Sequence, residues 1–478
     1  MRRVLKVLVL LGWILMEHAQ AQNEGTLYFM NSLPQAVYVN PAFVPKYKFS
    51  FGLPGSSVMN SYSNNGFTYN DIYTEENGVA TADLDKLYAS LKPENYITHI
   101  TQLDLFRLSV KMSPRFYFTY NSTVKTYTRL LLPKDLTAIF INGTAPFAGT
   151  TATLAPKAES MSLLENAIGG AFTVNKDLVI GARFKWMKGI ANATTQNAVL
   201  NLSVDQDTYA LTMKGSMDVR TSGIHNLSDS DYDFGESYQD YYDNNGFGID
   251  LGATYRLKDR INLSLSVIDL GYIKWKNDTY GYSLDSEKAQ YTFEGIDLNE
   301  VFNGNENYMN SVGDSIEAHF TPDEGKIPSY STSTPTKIYI GGNYEIRRNF
   351  TAGVVLYSEI FRGRFATGAT LGLTKNFGKW FTASGTYTMA SNSYNNIGLG
   401  ASLNLSPFQL YVVGDNILRA AFMGKEVNAF VNSSQLFNLR AGLNFVFGWE
   451  NGPDKISGNN PSPAFKMKQK RQAKLRKR

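Results

Sequence analysis

Charged residues recur at alternate positions inside otherwise apolar stretches, and their chemistry depends on what they face. Arg107 and Lys111 alternate with Phe106, Leu108, Val110 and Met112. Arg183 and Lys185 alternate with Ala182, Phe184 and Trp186, and Asp250 and Arg256 with Ile249, Leu251, Ala253, Tyr255 and Leu257. Arg440 lies between Leu439 and Ala441, and Lys337 in a similar stretch. Lining a wet interior, the basic members would attract anionic or carboxylated solutes. Buried, they would need partners, because a lone buried charge is costly. Asp250, Glu345 and the N-terminal segment are the candidate partners, and internal pairing is the simpler of the two readings.

Other chemistry is sparse. Asp229, Asp231 and Asp233, with Asp240 at the twelfth position, have the spacing of a calcium loop. Phe234 stands where the sharp turn of such a loop requires glycine. A solvated acidic loop is the simpler reading, and ion-bridged contact with lipopolysaccharide the milder functional one. His99, His225 and His319 are isolated from one another, with no metal-ligand spacing. There is no nucleophile elbow, no phosphate loop and no cysteine. No resident metal, cofactor or enzymatic activity is expected.

The elements that must position these charges are strands. Period-two alternation recurs along the chain and is interrupted by tight turns. It suggests strands at roughly 46–53, 103–112, 115–124, 165–174, 178–188, 197–204, 208–219, 246–257, 261–275, 335–346, 350–361, 364–375, 379–390, 395–405, 408–414 and 436–447. Many are close to the 9–11 residues that cross a bilayer at a tilt. Connections after even-numbered strands are short: Ser113-Pro114-Arg115, Asn175-Lys176-Asp177, Asp205-Gln206-Asp207, Lys258-Asp259-Arg260, Arg347-Arg348-Asn349, Asn376-Phe377-Gly378 and Ser406-Pro407. Most connections after odd-numbered strands are long, notably 54–102, 125–164, 220–245 and 276–334. This one-sided distribution is the outer-membrane pattern of short periplasmic turns and long external loops. A soluble sandwich or propeller has no need of it. The fold class expected is all-β, a transmembrane antiparallel barrel of 14 to 16 strands. Two short helices are expected within the long loops, at 83–91 and 133–141, started by Asp83 and Pro133.

Composition agrees. The 29 Tyr, 29 Phe and 40 Gly suit strands and turns. A mean hydropathy of −0.25 does not oppose membrane insertion, because barrel strands alternate lipid-facing and lumen-facing residues. Residues 1–21 read as a signal peptide: Arg2, Arg3 and Lys6, then the apolar run 7–16, then Ala19-Gln20-Ala21. Without a cysteine there is no lipid-anchor site, and export makes nucleic acid an unexpected partner. The overall charge of +4 conceals an asymmetry. Residues 466–478 carry eight Lys and Arg and no acid, and the leader nets +2, which leaves the body at −6. The three acidic loops 54–102, 220–245 and 276–334 together carry −17.

The expected organisation is a leader (1–21), a luminal segment (22–45), the barrel (46–448) and a basic periplasmic tail (449–478), the tail disordered and suited to an anionic partner. In the last strand, Gly442, Phe445 and Phe447 form a pattern like the terminal signal read by barrel-assembly machinery.

The stretch LYFMNSLPQAVYVNPAFVPKYKFSFGLP, then GFGIDLGATYRL followed by INLSLSVIDLGYIKW, and finally GLNFVFG with a Lys-rich tail resemble an uncharacterised outer-membrane barrel family common in Bacteroidota. More distantly the chain is similar to FadL-type barrels, including PorV-like components of type IX secretion. The resemblance implies 14 strands and an N-terminal segment folded into the lumen, with Asn40, Pro41 and Ala42 matching its Asn-Pro-Ala motif and Phe43 beside them completing the luminal hatch. It implies passive transport of small or hydrophobic molecules, or alternatively a non-enzymatic scaffold barrel of a secretion or surface-assembly complex. Outer-membrane lipid, lipopolysaccharide and a periplasmic or secretion-system partner are the contacts it suggests.

Overall fold

The computed structural model describes residues 24–65, 67, 69–76, 79–225, 243–295, 307–390, 393–416 and 436–449. The leader, the basic tail beyond Trp449 and the calcium candidates Asp229, Asp231 and Asp233 lie outside the described residues.

Fourteen antiparallel strands close into a barrel. They are β1 (Tyr47–Gly52, continuing as Ser57–Asn64), β2 (Glu94–Lys111), β3 (Phe116–Pro133), β4 (Lys157–Thr173), β5 (Leu178–Val204), β6 (Asn245–Leu257) and β7 (Ile261–Trp275). Then follow β8 (Tyr330–Ser333, continuing as Thr336–Arg347), β9 (Phe350–Phe361), β10 (Arg364–Phe377), β11 (Phe381–Ala390), β12 (Ser393–Leu405), β13 (Phe408–Asp415) and β14 (Leu436–Trp449). Each pairs with its sequence neighbours, and β1 pairs with both β2 and β14. Phe51 stands opposite Leu108 on one side and Phe445 on the other, so the sheet has no free edge in the membrane.

The side-chain pattern follows from the two solvents. On the outer face Phe184, Ile249, Leu265, Leu371 and Leu410 remain exposed. Such a band would be a liability in water and is the lipid face of a barrel. Aromatic residues gather on the outer face near the short-turn rim, where Phe51 stacks on Phe445 at 4.7 Å and Phe49 meets Phe447 at 5.8 Å. That is the aromatic girdle expected at a membrane interface. Among the described residues, no helix is long and apolar enough to cross a membrane.

The 16-strand listing is corrected to 14, and the two segments that fall are 197–204 and 208–219. The first is the outer end of β5, which runs for 27 residues. The second overlaps the strand Leu211–Ser222, which folds back on that extension, with Leu211 opposite Val204 and Ser222 opposite Asn192. The turn Asp205-Gln206-Asp207 therefore lies at the long-loop end, not at the short-turn end. Alternation reports a two-faced sheet and not the solvent on either face, so this extramembrane hairpin read like a membrane hairpin. The two segments form one hairpin, so the parity of the remaining turns holds. Asp205 accepts from the Thr208 and Asp207 amides at 2.7 and 3.0 Å. Those hydrogen bonds hold its carboxyl below the usual range.

The two loop helices form as expected. Leu84–Ser90 is capped by Asp83, whose carboxylate accepts from the Lys86 amide at 2.9 Å. Lys134–Asn142 starts directly after Pro133.

Candidate functional site: the occupied lumen

The N-terminal segment enters the barrel and fills its core. A short helix (Gly25–Phe29) and a 3-10 turn (Pro34–Tyr38) are buried throughout. Leu27, Tyr28, Phe29, Met30, Leu33 and Val37 form one apolar cluster with the wall residues Ile268, Tyr339, Val355, Tyr357 and Val413. The interior is thus a hydrophobic core built from two separate parts of the chain, and its burial is the main force that holds the segment.

Wall glycines make this fit possible. A Cβ on Gly252 would lie 2.8 Å from Pro41 Cδ, and one on Gly400 would lie 2.9 Å from Met30 Cγ. Cβ atoms on Gly181, Gly341 and Gly372 would overlap the Pro41–Ala42 peptide, the Tyr28 hydroxyl and the Phe29 ring. Asn40 shapes the chain at this point. Its side-chain oxygen accepts from the Ala42 amide at 2.8 Å, and its nitrogen donates to the Leu265 carbonyl at 3.3 Å. Phe43 closes the motif in edge contact with Tyr28, ring centroids 5.4 Å apart.

The inward charges are paired. Arg440 donates twice to Glu24 Oε1, at 3.0 and 2.7 Å, and once to Gln102 at 3.2 Å. Arg183 donates through Nε to Asp250 at 2.8 Å and through Nη1 to Asn121 at 2.9 Å. Lys185 contacts three carboxylates: Asp250 at 2.9 Å, Glu165 at 3.4 Å and Asp269. Lys125 extends this network to Glu165 at 2.8 Å and Asp269 at 3.3 Å. Arg107 donates to Asn444, which in turn donates to Gln35 of the segment at 3.0 Å.

Tyr38 links these groups. Its ring lies under the Arg440 guanidinium at 4.9 Å and the Arg183 guanidinium at 5.7 Å. Its hydroxyl donates to Asp104 at 2.8 Å. Tyr38 belongs to no wall strand, and burial, reinforced by Asp104, pushes its hydroxyl well above the ordinary phenol value. It therefore remains a neutral donor.

The candidate residues thus fall into two groups. Arg107, Arg183, Lys185, Asp250 and Arg440 meet around the segment. Lys111, Arg256 and Glu345 lie near the short-turn rim and are only half-buried. Gly442, Phe445 and Phe447 stand in β14, with Gly442 opposite Tyr411 and the two phenylalanines in the aromatic girdle. Sequence reasoning missed Glu24, Tyr38, Asp104, Lys125, Glu165 and Asp269. Asp104 and Glu165 were legible as single acids on the inner face of apolar strands. Asp269 was not: it sits at a bulge in β7 with a φ of 59°, where alternation slips.

Between the segment and the wall, a cavity of about 40 Å³ remains beside Glu24, Tyr38, Lys185 and Asp269. Ordered water fits such a space and a larger solute does not.

No curated protein matches the chain. Solved structures similar to it include a Pseudomonas aeruginosa FadL homologue, with 11% identity over 91% of this chain and 98% of that one and a TM-score of 0.43. The Ralstonia pickettii toluene transporter TbuX shares 9% identity over 87% and 94% of the two chains, with a TM-score of 0.42. The Pseudomonas putida toluene transporter TodX shares 10% over 86% and 92%, with a TM-score of 0.39. The profile of the family of unknown function DUF5723 matches residues 41–415, from the luminal Asn-Pro-Ala turn to the end of β13, and the chain belongs to that family.

Proposed function

We propose that this barrel passes small hydrophobic molecules across the outer membrane and is closed at rest by its N-terminal segment. The observation that carries the reading is the chemistry of the wall beneath that segment. Ile268, Tyr339, Val355, Tyr357 and Val413 are buried and cluster with the segment's own apolar side chains. Part of the wall is polar, but Arg183 and Lys185 there are already paired with Asp250, which leaves the apolar part to meet a solute. A wall of this kind suits an apolar solute that takes the segment's place. Buried polar contacts along it, among them Glu24 with Arg440, Thr26 with Asp415 and Tyr38 with Asp104, hold the segment without any covalent tie apart from its continuation into β1. Displacement therefore has a finite cost that binding energy can meet.

Uptake of a hydrophobic fluorescent amine by cells with an intact outer membrane tests this. Cells expressing the protein should take up the probe several-fold faster than cells lacking it. Equal rates in the two cell lines would sink the reading.

A second reading, a scaffold barrel, draws on the sheet built on the outer end of β5. That sheet has its own small apolar core of Ala152, Leu154 and Leu202. A protein that stays bound through detergent extraction, together with absent uptake, would favour it.

A further inference from the structure

At the long-loop end, three strands form a sheet outside the barrel wall: Leu211–Ser222, Thr279–Leu284 and Asp323–Lys326. The registers set Arg220 opposite Gly281 and Asp218 opposite Ser283. They also set Gly281 opposite Gly325. Residues directly opposite share a face, so one face has a bare floor at Gly281 and Gly325, with Asp218 and Arg220 beside it.

The chain then arches over this floor. The Ile327 amide donates to the Thr279 carbonyl at 3.1 Å, and the Thr279 hydroxyl donates to the Ile327 carbonyl at 2.7 Å. Ile327 Cγ2 lies 2.6 Å from where a Cβ on Gly281 would be. Tyr330, at the start of β8, anchors the far end of the arch through its hydroxyl, which donates to Asn192 at 2.9 Å. Between floor and arch is a cavity of about 540 Å³. That lies within the range of small-molecule sites.

We propose that this cavity is a docking site for a neutral glycan. The charged groups on the face of Gly281 and Gly325 are already neutralised in pairs, while Glu324 and Lys326, which also border the cavity, stand at the alternate positions opposite Tyr282 and Tyr280. Arg220 donates to both oxygens of Asp218, at 3.3 and 3.1 Å, and Asp323 is paired with Lys288 at 2.9 Å. A charged ligand would have to break one of these pairs. A hydrocarbon would desolvate them and offer nothing in return. An uncharged polyol keeps both pairs intact and hydrogen-bonds to their free edges. The open backbone at Gly325 and the fork-held, planar guanidinium are flat surfaces on which a sugar ring can lie. Ile327 supplies the apolar contact for the ring's C–H face. The position, at the end of the barrel that carries the long loops, gives glycans from outside direct access. The site lies away from the luminal segment, so it stands or falls independently of the transport reading.

The test is calorimetric titration of the full chain in an amine-oxide detergent that carries no sugar headgroup. The probes are neutral gluco-, galacto- and mannotrisaccharides, a uronic-acid trisaccharide and 1-naphthol. At least one neutral trisaccharide should bind with a Kd of about 1 mM or tighter. Gly325→Leu places its side chain in the cavity, and its Cβ meets nothing within 4 Å. It should weaken binding about tenfold or more with the melting temperature unchanged. Arg220→Met should weaken it as well, which guards against an unforeseen effect at Gly325. Absence of binding by all three neutral sugars overturns the proposal. So does equal or tighter binding of the acidic sugar, binding of 1-naphthol alone, or binding that neither variant changes.

Discussion

Gly181 of β5 sits against the peptide bond joining Pro41 to Ala42, with no space between them for a side-chain carbon. The adjacent Gly252 of β6 lies against Asn40 and the Pro41 ring. These two strands carry a groove of bare backbone into which the Asn40-Pro41-Ala42 turn is set. Gly181→Val should therefore disturb the segment and not the barrel. Overpacking of this kind costs about 1–3 kcal/mol. The expected outcome is a barrel that still migrates as a folded species on unheated gels, with the segment newly open to protease. Unchanged protease resistance would mean that the groove does not hold the turn.

The Glu24–Arg440 pair gives a second prediction. Both side chains are less than 5% exposed, so removing one partner leaves an uncompensated buried charge. Arg440→Met should cost about 3–5 kcal/mol. Arg440→Met combined with Glu24→Gln should recover a large part of that loss, because no charge is then stranded. A double-mutant cycle read by denaturant unfolding in detergent measures this. A double variant as unstable as the sum of the two singles would show that the pair is not coupled.

The third prediction concerns Lys185, the shared cation of Glu165, Asp250 and Asp269. Lys185→Met leaves the three carboxylates facing each other, with Lys125 and Arg183 among the cations that still contact them. Stability should fall by more than for Lys111→Met, whose parent lies half-buried at the rim. Unfolding midpoints of the two variants side by side decide the order.

A fourth separates lipid face from lumen. Leu371 is 49% exposed at the middle of β10, and its neighbour Thr370 is fully buried, its hydroxyl 2.8 Å from that of Thr388. In bilayers, Leu371→Arg should cost about 2–4 kcal/mol. In a soluble protein, a surface change of this kind would be nearly neutral. Refolding into lipid vesicles measures the difference.

Which parts of this were legible in the sequence follows from how locally each is encoded. Strand faces were, because lipid and lumen impose opposite chemistry on successive residues. Ala182, Phe184 and Trp186 face outward while Gly181, Arg183 and Lys185 are buried. The helix at Leu84–Ser90 was, because Asp83 is a local start signal. The boundary of the membrane was not. Residues 197–204 alternate like the rest of β5, and it is their pairing with Leu211–Ser222 and Thr151–Thr153 that places them outside. The site was half legible. The inward basic residues could be named, yet their partners come from other strands or from the N-terminal segment, as Glu24 meets Arg440 across 416 positions of sequence. No local pattern encodes such a pairing. The inward glycines could be read as interior but not as a groove, because what they accommodate lies far away in the chain.

Residues 24–45 fill the lumen and should close it to ions. Single-channel recording in planar bilayers, comparing the full chain with a variant lacking residues 24–45, tests it most directly. The full chain should be electrically silent or nearly so, and the deletion should show discrete openings. Equal conductance in the two proteins, whether open or silent, would contradict it.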